Sequence, residues 1–139
     1  MEYTRFNNKI VLRLDIGDEI VESINTVIVA ENIRLASVTG IGALNKVTMG
    51  FFTPAEKTYH PHELEGDYEL LALNGNITQN NNEPYIHLHI TLGDENGHAL
   101  GGHLNAGFIS VTGEIFIDII EGDVDRKVDP TTGLNILKF

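Results

Sequence analysis

Between Tyr85 and Leu92 the chain alternates without a break, with Tyr85, His87, His89 and Thr91 at odd positions and Ile86, Leu88, Ile90 and Leu92 at even ones. Residues two apart point the same way from a β-strand, so this segment has one aliphatic face and one polar face. The aliphatic face belongs to a core, and the two histidines must look away from it.

The residues that follow predict where the strand goes next. Asp94-Glu95-Asn96-Gly97-His98 reads as a hairpin, with Glu95-Asn96-Gly97 as a three-residue loop and Gly97 in the left-handed position. Pairing Asp94 with His98 then sets His103 opposite His89 on the same face. His87 and His89, with Cα atoms roughly 6.5 to 7 Å apart, can share one ion, and His103 supplies a third imidazole. Three neutral imidazoles suit zinc and leave one coordination position open. Gly101-Gly102, just before His103, lets the backbone bend or another chain approach closely. A shift of one residue in the hairpin would spoil this geometry. An exposed His-x-His on a strand also serves as a plain polar face, and spacing alone leaves both readings open. His60 and His62, flanking Pro61, are expected in a solvated loop, and His98 is expected to be solvated at the hairpin end.

Elsewhere the pattern predicts a strand over Lys9–Ile16, broken by Gly17, then a helix over Glu19–Asn32. Asp18 is the expected N-cap, and Ile20, Val21, Ile24, Val27 and Ile28 form one buried stripe. Further strands are expected over Leu35–Ile41, Asn45–Thr53, Tyr68–Thr78, Pro84–Leu92 and Phe108–Ile120. Gly40 and Gly42 mark a turn, and Gly75 an interruption. The apolar end Leu134–Phe139 is expected to dock. Many strands, short connections and one early helix argue for an α+β fold, an antiparallel sheet with one main helix packed on it.

Composition narrows the function classes. With 139 residues the chain has the size of a single domain, and it contains no cysteine, which removes disulfides and thiolate metal sites. No apolar run approaches a membrane span, and the polar start Met1–Asn8 has no signal-peptide centre, so a cytoplasmic protein is expected. Twenty acidic residues against nine basic ones give a net charge of -11. Phosphate binding relies on Lys and Arg, which are scattered here, only Arg126 and Lys127 being adjacent. Direct binding of nucleic acid is therefore doubtful. Gly40-Ile41-Gly42 is no dinucleotide fingerprint, and neither a phosphate-binding GxxxxGK[ST] stretch nor a GxSxG nucleophile turn occurs. Glu69 is a candidate catalytic base if it faces the histidines, and otherwise a surface residue of an amphipathic strand.

Three stretches carry a family resemblance. Pro84-Tyr85-Ile86-His87-Leu88-His89-Ile90-Thr91-Leu92 with Gly101-Gly102-His103-Leu104 resembles the signature of the plants-and-prokaryotes-conserved (PPC) domain. Asp67–Gly75 resembles its second conserved stretch and Arg34–Leu44 a third, in order over roughly residues 5 to 121. The resemblance implies an antiparallel sheet with flanking helices, assembly as a homotrimer, and a metal, commonly zinc, at His87, His89 and His103. In plants the domain follows AT-hooks that contact the DNA minor groove, and prokaryotic members are often labelled as DNA-binding. This chain has no Arg-Gly-Arg-Pro stretch, and Asp67 stands where the plant form has a basic residue. Both departures weaken a DNA-binding reading. The expected function is thus a trimeric, metal-containing module for a protein partner or small ligand. A DNA-binding regulator and a zinc-dependent hydrolase using the three histidines are the alternatives.

Overall fold

The computed structural model describes all 139 residues. Its strands are β1 (Glu2–Phe6), β2 (Lys9–Leu14), β3 (Ala36–Thr53), β4 (Thr58–Asn80), β5 (Glu83–Gly93) and β6 (Ala99–Ile119), with the helix α1 (Ile20–Glu31) between β2 and β3. They form one antiparallel sheet in the order β1-β2-β6-β3-β4-β5. The last strand also pairs back onto β6, from His89↔His103 to Gly93↔Ala99. The four strands β3, β4, β5 and β6 therefore close into a ring. A separate two-stranded sheet, β7 (Asp125–Val128) with β8 (Asn135–Lys138), follows.

The α+β class expected from the pattern does not hold. Strand accounts for 67% of the chain, and the 12 residues of α1 are the one helix. This is a β-rich fold with a single helix packed on a sheet. The imbalance arises because the strands run far longer than the alternating segments that announce them. The two segments expected over Leu35–Ile41 and Asn45–Thr53 merge, from Ala36 on, into one strand, and Gly40–Gly42 is a register shift within it rather than a turn. Likewise β4 begins at Thr58, ten residues before its apolar alternation starts. Its first half pairs with β3 alone, since pairing to β5 begins at Glu69, and so Pro61 loses no ladder bond on its free side.

One core of 23 buried residues lies between the sheet and α1. Ile20, Ile24, Val27 and Ile28 enter it from the helix, which packs against β5 and β6. The helix starts at a different cap from the expected Asp18. Glu19 is the N-cap, one carboxylate oxygen accepting from the Glu22 amide (2.6 Å) and the other from the Gly107 amide (2.8 Å). The longer glutamate reaches both the helix and β6, whereas the Asp18 carboxylate turns back to the Asp15 amide (2.8 Å). At the far end Asn32 adopts the left-handed conformation, and the Ile33 amide closes onto Ile28 oxygen at 3.0 Å. The C-terminal segment docks through β7 rather than through its apolar end. Leu134, Ile136, Leu137 and Phe139 are all exposed.

Candidate metal centre

The site begins with the β5–β6 hairpin. The Asp94 amide donates to His98 oxygen (3.1 Å), the Gly97 amide to Asp94 oxygen (3.0 Å), and Gly97 has φ 78°. The Asp94 carboxylate accepts from the Asn96 amide (2.9 Å) and the His98 amide (2.8 Å), and these contacts hold its pKa below the ordinary carboxylate value. This loop carries the register down the hairpin, so His89 pairs with His103. Leu88, Ile90 and Leu92 are buried and His89 is exposed, so the histidine face points out of the core.

His103 is also where β6 leaves β5 for β3, pairing there with Gly50. That junction explains Gly101-Gly102. A Cβ on Gly101 would lie 2.4 Å from Ile90 oxygen, and one on Gly102 2.6 Å from Gly50 oxygen. Close backbone approach, rather than bending freedom, is what requires glycine here.

The three histidines converge. Ring centroids of His87 are 5.2 Å from His89 and 5.1 Å from His103, and those of His89 and His103 are 5.6 Å apart. One ring nitrogen from each lies within 4.8 Å of the others. The Nε2 atoms of His87 and His89 are 3.3 Å apart. Zinc–imidazole bonds of about 2.0–2.1 Å in a tetrahedron place donor nitrogens ~3.4 Å apart, so this pair already has the required spacing. The third donor, from His103, lies within 4.8 Å of both. Burial, then the neighbouring His103, Arg126 and His89, pushes the His87 pKa down to about 4. Burial followed by His89 also lowers that of His103. Both rings are therefore neutral near pH 7, the form that ligates a metal.

Around the triad the side chains are neutral or cationic. Asn76 pairs with His87 across β4, and Asn74 with His89. The ring edge of Tyr59 meets His103 at a centroid distance of 6.1 Å, and its hydroxyl donates to Asn105 Oδ1 (2.5 Å). Arg126, from β7, reaches the same face. Its Nε donates to Thr78 Oγ1, Nη1 to Asn135 oxygen and Nη2 to Asn76 Oδ1, each at 2.8 Å. Its Cζ lies 4.3 Å above the centre of the Tyr85 ring. The sequence singled out Arg126 only as a neighbour of Lys127. No spacing rule connects it to β5, because a separate sheet carries it there.

Glu69 is not brought to the histidines. It is exposed and pairs with Gly93, four residues along β5 from His89, roughly 13 Å at strand spacing. His60 and His62 lie in β4 rather than in a loop, stacked on the exposed Phe51 with centroids 5.1 and 6.1 Å away. His98 is exposed, its Nδ1 3.1 Å from Asp94.

Comparisons with known proteins follow the same lines. The family model described as the Plants and Prokaryotes Conserved (PCC) domain matches residues 1–121. A solved structure from Bacteroides thetaiotaomicron, described provisionally as a DNA-binding protein, superposes with a TM-score of 0.96 at 33% identity, covering 99% of this chain and 96% of that one. A metal-containing protein from Archaeoglobus fulgidus gives a TM-score of 0.88 at 29% identity, with 99% and 96% covered. Among curated proteins, the bifunctional protein GlmU of a Synechococcus strain is 35% identical over 97 residues, which are 68% of this chain but 14% of that relative. The chain thus spans only a small part of the curated relative it matches.

Proposed function

This chain belongs to the Plants and Prokaryotes Conserved domain family, and we propose that it is a self-associating, metal-holding module that binds a ligand or partner at its three-histidine face. The observation that carries this reading is the convergence of His87, His89 and His103, with two donor nitrogens 3.3 Å apart on an open face. Zinc is the ion the donor set suits best, since it accepts three neutral imidazoles and keeps a fourth position for a ligand. When bound it would polarise whatever occupies that position. His87 and His89 would hold it from β5 and His103 from β6. The Archaeoglobus relative is described as metal-containing, which favours the same reading.

Self-association, expected as a homotrimer from the family resemblance, is favoured by apolar side chains that the single chain leaves uncovered. Ile41, Leu71 and Phe116 are exposed together in one cleft of about 360 Å³ on the sheet. A contiguous apolar surface of this kind marks an interaction site. Sedimentation equilibrium should give three times the chain mass, and Leu71→Asp should shift it toward one.

Elemental analysis tests the metal. About one zinc per chain is expected, and it should be lost from a His103→Ala variant prepared identically. Wild-type protein that takes up no zinc on incubation would sink the reading. Direct DNA binding is the second reading, favoured by the description of the Bacteroides relative. A net charge of -11 opposes it, and it requires duplex affinity that rises steeply as salt falls.

A further inference from the structure

Arg126 is only 6% exposed, yet no carboxylate meets its guanidinium. Its three acceptors, on Thr78, Asn135 and Asn76, are all neutral. They use three of the five guanidinium donors and leave one N–H on each terminal nitrogen. The chain has 20 acidic residues, but none forms a hydrogen bond or ion pair with Arg126, Asn76, Tyr85 or the three histidines. Neutral acceptors orient a buried cation without compensating it, and an uncompensated buried charge is costly.

Its position gives that imbalance a use. Nη2 bonds Asn76, the cross-strand partner of His87, and the guanidinium covers Tyr85, two residues before His87 on the same face. The cation therefore stands about one side-chain position from His87, on the order of 6 Å. A divalent ion among three neutral imidazoles would add two more positive charges there, with no protein anion to balance them.

We propose that this face binds an anionic oxygen ligand, a carboxylate or a phosphate, with one oxygen at the open coordination position and another on a free N–H of Arg126. The inference rests on the reading that the histidines hold an ion, and adds the class of ligand. Planar, charge-assisted donation is what makes arginine suited to both anions. The cation arrives on β7, beyond the family-matched residues 1–121, so this chain supplies it from outside the matched domain.

The test is calorimetric titration of the zinc-loaded protein with inorganic phosphate and, separately, acetate, with zinc content measured beforehand. Arg126→Met and Arg126→Lys are treated in the same way. Wild-type protein should bind one anion per zinc; the methionine variant should keep its zinc but bind the anion ~10-fold or more weakly, with lysine between. Tighter phosphate binding identifies a phosphate ligand, and tighter acetate binding a carboxylate. Zinc-loaded wild type that binds neither, as when a neighbouring subunit's carboxylate fills the position, overturns the proposal. Equal affinity in wild type and the methionine variant does so too. Failure of the underlying metal reading is distinguishable, because it appears in the zinc content before any anion is added. Should the methionine variant unfold, the cobalt(II)-loaded wild type decides. Its visible spectrum should shift on adding phosphate or acetate, and an unchanged spectrum overturns the proposal.

Discussion

Gly75 pairs with Leu88 across β4 and β5, and the two backbones approach so closely that a Cβ would sit 2.0 Å from the oxygen of the preceding residue, His87. Gly75→Ala should therefore push β5 outward at a proposed ligand, costing ~2–3 kcal/mol of stability and weakening zinc uptake together. Gly97 is a useful contrast, because nothing lies within 4 Å of its Cβ position but its φ is +78°. Alanine there should cost ~1 kcal/mol through left-handed strain and leave zinc uptake unchanged. Urea unfolding beside zinc titration separates the two, and equal effects on metal would defeat the argument. The histidines themselves were legible from the sequence because period-two alternation and a three-residue hairpin fix which residues face each other. Glu69 was not, since its distance from the site depends on the β4–β5 register, which no local signal announces.

At the scale of the element, α1 is held by its buried stripe. Ile24 is fully buried and Val29 is exposed, five residues apart on α1, though both are aliphatic and both suit the core by type. Ile24→Ala should cost ~2–4 kcal/mol by chemical denaturation, while Val29→Ala should change stability by less than ~0.5 kcal/mol. Comparable losses would mean that the helix packs on a different face. The β7–β8 hairpin is held otherwise. Two strands alone are marginal in water, and here Arg126, with the Gln79 amide donating to Val124 oxygen (2.9 Å), ties them to β4. The apolar pattern of Leu134–Phe139 suggested docking by its own burial, but β8 pairs only with β7 and leaves those side chains in solvent. A hydrophobic tail records that something can be buried, not what buries it.

For the whole molecule, protonation gives a stability profile with two phases in the metal-free protein. The folded His87 pKa is about 4, against 6.5 for an unperturbed imidazole. The unfolded chain therefore takes up a proton first, and stability should fall as pH drops from about 6.5 to 4. Asp94, Asp129 and Glu31 are held below their ordinary values by hydrogen bonds, to the His98 amide, to Thr132 and to Arg5 respectively. Their contribution is present above the unfolded pKa and is lost as pH falls through the folded one, which adds a further decline below about 4. Melting temperature against pH should show both phases, and His87→Gln should shrink the upper one, leaving the smaller part that the lowered His103 contributes. A variant whose upper phase is unchanged would assign it to another group.

The sequence by itself determined the strand from Tyr85 to Leu92, the hairpin at Asp94–His98, the pairing of His89 with His103, and the buried stripe of α1. Each follows from a local period or a turn whose chemistry lies within a few residues. Only the tertiary structure decided that β3 and β6 run unbroken through their register shifts, that β6 pairs with β3 and so closes the ring, and that Glu19 rather than Asp18 caps the helix. It alone carried Arg126 to the histidines. Those features are fixed by pairing between distant segments, where the geometry of the partner strand, and not the residue's own neighbours, sets what each side chain meets.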